Sequence, residues 1–294
     1  MSPASGDLPP RPSSGWIRYR RIKSAIGWLL AGSALIALAV AMIQILLYVF
    51  LKGFHSLSPK IFVESTVGVG GGLKNAILGT ALLSGSAMIL SALIGVAAGL
   101  YLSEFGEGRL GSLTRFLSDV LVGVPSIVLG FVGYVTLTVW LRWRFSLAAG
   151  AITLAVLMLP YIVRSTELAL RRVASGIRES AYALGCSDHQ VVFKVLLKAA
   201  APGIGTGILL ALAISAGETA PLLYTAGWSN YSWSGHLIHE PVAYLTYVIW
   251  SFIGEPFHSA HALAYVAAFL ITFMILLINL LARFLIASSP HSNR

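Results

Sequence analysis

The feature that most constrains this chain is Ile26–Leu51, a long run without one charged side chain. About 20 apolar residues suffice to cross the hydrocarbon core of a bilayer. Five further runs are similarly apolar, three of them carrying one charge each (Asp119, Glu218 and Arg283): Ala76–Leu102, Asp119–Leu141, Ser146–Val163, Pro202–Gly227 and Ala264–Ile286. Backbone polar groups in lipid must be satisfied internally, so runs of this kind are helices. The expected fold is therefore an all-α polytopic membrane protein with six transmembrane helices and both ends on one side. Only 11% of the residues are charged, against roughly 25% in a soluble domain. The single cysteine, Cys186, excludes an intrachain disulfide and any metal site built on several thiolates.

The domain plan follows from these runs. Residues 1–25 form a basic tail, rich in Pro, Ser and Gly at its start, and 26–51 the first span. Residues 76–286 hold five more spans, a loop at 164–201 and a second long loop at 228–263, and 287–294 close the chain. The first run is too long for a signal-peptide core and lacks a small-residue cleavage site, so it is expected to be retained.

Charge placement sets the orientation. If the N-terminus is cytoplasmic, 15 of the 20 lysines and arginines lie on the inner side, the bias that inner loops show. The net charge of +9 thus reports membrane orientation, not nucleic acid. Arg142 and Arg144, in "LRWRF", run against the trend. They either reach to outer headgroups or offer positive charge to an anion arriving from outside.

The loop at 164–201 is longer than ordinary connections between spans, which implies structure within it. Ser175 is a candidate N-cap, Ile177, Ala181 and Leu184 recur at helical spacing, and Gly185 stands where a left-handed residue ends a helix. Ser187 with Gln190 then forms a capping-box pattern. Two helices about a glycine make a knob, either a plain solvated hairpin or an element that docks into a groove on a partner.

Glu179-Ser180-Ala181, three residues, Gly185, nine residues and Val195-Leu196-Leu197 resemble the signature loop of ABC importer permeases, with Ser180, Val195 and Lys198 departing from its pattern. "GGGLKNAILGTALL", "GVPSIVLGF", "LPYIVRSTELALRRV" and "GETAPLLYTAG" follow in order across roughly residues 70–227. Together they resemble the permease of the bacterial phosphate importer, the PstA type. The resemblance implies a type I importer permease fold (MetI-like) in the bacterial inner membrane. It implies that Glu179, Ser180, Ala181 and Gly185 couple to an ATPase. It also implies as partners a homologous second permease (PstC type), a cytoplasmic ATPase dimer (PstB type) and an external phosphate-binding protein (PstS type). No Walker A sequence is present, so ATP and magnesium are expected on the ATPase, with no cofactor on this chain.

The residues that most invite a pathway role are Gly217, Glu218, Thr219 and Pro221. Pro221 cannot donate to the carbonyl of Gly217 and its ring crowds it, while Gly217 is expected to ease the rearrangement. The loosened backbone must line a cavity or lie against protein. Three roles for Glu218 are open: pairing with an arginine to gate the path, donating a hydrogen bond while protonated, or binding freed backbone. Related permeases often place an arginine one helical turn earlier, where this chain has Ile214. Arg164 is a candidate partner, at a distance.

Other readings fit less of the chain. A permease for molybdate or sulfate shares every feature except the "GETAPLL" resemblance. An intramembrane enzyme would need a nucleophile–base pair, metal motif or paired carboxylate within the spans, and a secondary transporter has no use for a docking knob. His236 with His239, and His258 with His261, read as polar loop residues before metal ligands. "GVGGG" at 68–72 lacks the Lys-Ser/Thr of a nucleotide loop.

Overall fold

In the computed structural model, which describes residues 14–287, the apolar runs are helices whose ends follow proline, glycine and charge. Helix α1 is Ser14–His55, α2 Lys74–Phe105, α3 Arg109–Gly123 and α4 Ser126–Trp140, the last seven residues of α4 being π-helical. Then come α5 (Leu147–Arg171), α6 (Ser175–Ala183), α7 (Asp188–Ala216), α8 (Ala220–Thr225), α9 (Leu245–Phe252) and α10 (His258–Ala287). "GVGGG" belongs to a small antiparallel hairpin, Thr66–Val67 with Gly70–Gly71.

Among the described residues five helices are long and apolar enough to cross a membrane, and α3 with α4 makes a sixth candidate. Two of the expected spans are not single helices. The run 119–141 is bent by 103° between α3 and α4, because Pro125 has no N–H to donate and holds an extended backbone at ψ 134°. The run 202–227 stops at Ala216 and restarts at Ala220. The fourth span, α5, runs past the expected Val163 to Arg171. The second helix expected in the following loop is the opening of α7, which continues through a π-helical stretch at Val191–Leu196 into the fifth span.

The chain divides into two units, Met1–Leu51 and Lys52–Arg294. In the first, α1 exposes apolar side chains along its described length. Of the expected tails, residues 1–13 and 288–294 lie outside the described residues.

In the second unit α5 is the central helix, and α2 packs along it more extensively than any other pair of elements. Ala87, Ser91, Gly95 and Gly99 recur every fourth residue on one buried face of α2. A Cβ on Gly95 would stand 2.9 Å from that of Ile162, and one on Gly99 2.7 Å from the carbonyl of Val163. Only small residues permit that approach, the means by which membrane helices pack without a hydrophobic drive between them. Elsewhere on α2, Ile89, Leu93 and Ile94 are exposed, as lipid-facing residues are.

The bundle has two distinct ends. One carries residues 106–108 and 172–187 and is rich in arginine; it is termed the basic end. The other carries 141–146 and 226–257, with Trp143, Trp228, Trp233 and Trp250, and is termed the aromatic end.

Candidate coupling and translocation sites

At the basic end α6 and the start of α7 form a knob. The Cys186 N–H donates to the Ala181 carbonyl at 3.1 Å and the Gly185 N–H to that of Tyr182 at 2.9 Å. With Gly185 at φ +79°, these are the two bonds of a Schellman motif. The backbone N–H of Ser187 donates to Gln190 Oε1 at 3.1 Å, completing a capping box that opens α7. The N-cap of α6 is Ala174, without a side-chain bond, and not the expected Ser175, which is already helical. Ala181 is buried, while Glu179, Ser180 and Gly185 are exposed. Beside them Tyr182, Leu184 and Phe193 are exposed, and the His189 ring lies 4.6 Å from that of Phe193. A hydrogen bond to Asp188 raises the Tyr182 phenol above its ordinary range.

Side chains that, Arg164 apart, the sequence did not single out wire the knob to the bundle. Arg178, beside Glu179, grips Glu104 near the end of α2 with two bonds of 2.8 Å. Arg115 of α3 donates to the carbonyls of Leu102 and Gly106 at 3.1 and 2.8 Å, capping that same helix end. Its Nε reaches Glu167 of α5 at 2.8 Å. Glu167, only 5% exposed, also accepts from Arg164 at 3.3 Å and Arg171 at 3.1 Å. Arg164 in turn holds Asp119 of α3 with two bonds of 2.8 Å. A run of ion pairs and caps thus links α6, α2, α3 and α5. Glu167 was readable as a charge within an otherwise helical pattern, but its three partners lie on two helices, which spacing alone does not join.

The candidate pathway residues lie eight residues or fewer from Thr225, whose carbonyl accepts from Ser146 N–H at the aromatic end. Gly217 is the C-cap of α7, and Pro221 is in the first turn of α8, where its missing N–H costs nothing. The Glu218 carbonyl, left over by the break, accepts from the buried Thr246 hydroxyl of α9 at 2.8 Å. Gly217 has φ −86°, which any residue adopts, and a Cβ there would meet nothing closer than 3.6 Å. The rearrangement therefore does not depend on glycine at this position. The glycine that matters is Gly130 of α4, where a Cβ would stand 2.5 Å from Pro221 Cα.

Glu218 and Thr219 are half-buried, Gly217 is exposed and Pro221 buried. The Glu218 carboxylate lies on the side of Ser126, the first residue of α4. Arg164 is engaged by Asp119 and Glu167 at the basic end, and no arginine among the described residues pairs with Glu218. Among the described residues no group of three His, Cys, Asp or Glu could hold a metal ion.

A central helix packed on small residues thus carries a wired knob at one end and a broken span near the other. The fold matches a chain of the MetNI methionine ABC transporter in its inward-facing form. The TM-score is 0.60 over 73% of this chain and 95% of that one, at 20% identity. Residues 91–289 match the binding-protein-dependent transport system inner membrane component family, and the chain belongs to that family. It is 44% identical over 276 residues to the phosphate transport system permease protein PstA 2 of Mycobacterium bovis, covering 94% of this chain and 91% of that protein. With the phosphate transport system permease protein PstA of Yersinia pestis it shares 41% identity, over 93% of each chain.

Proposed function

We propose that this chain is one permease subunit of an ATP-driven phosphate importer. The observation that carries the reading is 44% identity to a phosphate permease along nearly the whole of both chains. With a second permease it forms the pathway. A separate ATPase dimer supplies the energy and holds the ATP and magnesium, and an external binding protein delivers phosphate. Both termini face the cytoplasm, so the basic end is inner and the aromatic end outer.

The knob is the docking element. Glu179, Ser180 and Gly185 are exposed for contact, with Leu184, Tyr182 and Phe193 as apolar anchors, while Ala181 packs inward. ATP-driven movement of the partner displaces α6. The Arg178–Glu104 grip passes that displacement to α2, and Arg115 and Glu167 pass it to α3 and α5. At the outer end, the break at Gly217, Glu218, Thr219 and Pro221 borders the pathway, where a gap in the helix presents polar backbone to a desolvated anion.

The test is ATP-dependent phosphate uptake by the reconstituted complex, competed with arsenate, molybdate and sulfate. Phosphate and arsenate should compete well and the other two poorly; preference for molybdate or sulfate overturns the substrate assignment. Gly185→Asp or Glu179→Arg should lose the copurifying ATPase, and its full retention overturns the docking role.

A further inference from the structure

Three non-glycine residues in the described chain have positive φ: Arg142 at +57°, Arg144 at +57° and His239 at +68°. All three are basic or can become so, and all three lie at one place. The His239 N–H donates to the carbonyl of Trp143 at 2.8 Å, between the two arginines. Trp143 and Arg144 donate to Leu137 and Thr138 at the end of α4, Ala148 donates to Leu237, and Ser146 to Thr225. The 141–146 turn is thus clamped from both sides.

Left-handed backbone costs an ordinary residue about 1 kcal/mol or more, and such strain persists where the surroundings over-determine it. Glycine would relieve it at either arginine. Both arginine side chains are exposed and neither forms an ion pair among the described residues. Glu240, next to His239, bonds the backbone and hydroxyl of Ser234 at 3.1 and 2.5 Å and forms no ion pair with either arginine. The result is a rigid turn with two arginines outside any ion pair at the aromatic end, beside a hollow lined by Ser234, His236, Leu237, Ile238, His239 and Glu240.

We propose that Arg142, Arg144 and His239 form a docking point for surface carboxylates of the soluble protein that delivers the substrate. The proposal rests on the importer reading and its orientation. Arginines snorkelling to lipid headgroups need no fixed backbone, since their flexible stems adapt. A free inorganic anion gains little from exposed, screened arginines. A protein face excludes water and is rigid, so a preorganised cationic turn is most useful against it.

The experiment uses the complete complex in nanodiscs and titrates phosphate-loaded binding protein, reading uptake and stimulated ATP hydrolysis at low and high salt. Arg142→Gln with Arg144→Gln should raise the half-saturating concentration roughly tenfold at low salt and flatten its salt dependence. Maximal turnover and basal hydrolysis should stay unchanged. Arg142→Gly with Arg144→Gly keeps the backbone and relieves its strain, so it should be at least as heat-stable as wild type yet dock as poorly as the glutamine pair. Wild-type half-saturation in the glutamine pair overturns the proposal, as does a glycine pair that docks normally. A defect that appears only with anionic lipid, or only in the phosphate requirement at saturating binding protein, assigns the turn to lipid or to free anion and overturns it too. Failure of the wild type to take up phosphate would instead refute the importer reading.

Discussion

Among the described residues, the grip of Arg178 on Glu104 is the ion pair that ties the knob to α2, so breaking it should separate ATP hydrolysis from transport. Both bonds are 2.8 Å and parallel, the fork-to-fork geometry that makes such pairs strong. Exposure is 40% for Arg178 and 8% for Glu104. An exposed pair contributes about 0.2–1 kcal/mol, and removing one partner of a buried pair costs about 3–5 kcal/mol. This half-sunk pair belongs between, at about 1–3 kcal/mol, or up to two orders of magnitude in the coupling equilibrium. Arg178→Ala and Glu104→Ala should each leave the complex assembled and hydrolysing ATP, with fewer phosphates transported per ATP. The double substitution should be little worse than either single one, because both remove the same bond. The exchange Arg178→Glu with Glu104→Arg should restore part of the ratio. The assay is phosphate uptake and ATP hydrolysis in one preparation of proteoliposomes. A wild-type ratio in both single variants, or additive losses in the double one, would refute the transmission route.

Glu218→Gln should sharply reduce phosphate uptake at normal membrane levels; unchanged uptake would remove the residue from the pathway. Gly130→Ala should drive its methyl into the backbone of Pro221 and cost about 1–3 kcal/mol, read as a lower melting temperature and slower uptake. Gly217→Ala has room and an ordinary φ, so it should be neutral or stabilising by about 0.4–1 kcal/mol. Glu167→Gln leaves three guanidiniums with a weaker acceptor, and the partial exposure of those arginines limits the loss to about 2–3 kcal/mol, measurable in detergent melts.

Helices, glycine turn and break were legible because each is a local pattern. Gly185 announces a left-handed cap by its place after Leu184, and Ser187 with Gln190 marks a helix start without any tertiary knowledge. Pro221 signals an interruption for the same local reason. Pro125 does so too, yet the run 119–141 reads as one span, because apolar composition averages over a bend that a single residue causes. The ion pairs were not legible. Arg115 and Glu167 are 52 residues apart, and nothing in the order of residues says that α3 lies across α5. That position 217 has no conformational need for glycine was not legible either, for a related cause. Glycine before a helix break suggests unusual backbone, but the angle there is common, and the close approach is made by Gly130 on another helix.

The two interruptions meet, and that gives the absence of an arginine at Ile214 a physical account. Helix α4 begins just after the Pro125 bend, and α8 begins just after the Glu218 break. Gly130 brings α4 onto Pro221, and Ser126 faces Glu218. A carboxylate at the start of a helix is favoured by free N–H groups and the helix dipole, so α4 supplies part of what an arginine one turn earlier would supply. Irregular backbone at membrane depth is tolerable when covered by protein, and here each break helps cover the other, with Thr246 satisfying the Glu218 carbonyl. If α4 stands in for the cation, the two devices should be exchangeable. Ser126→Ala should reduce uptake by about tenfold, from the loss of a hydroxyl that can hydrogen-bond the Glu218 charge when the pathway is loaded, worth about 1.5 kcal/mol. Adding Ile214→Arg to that variant should recover much of it, since Ile214 is half-buried one turn from Glu218. Uptake that stays low in the double variant while the protein is assembled at wild-type levels would show that Ser126 acts on something other than the Glu218 charge.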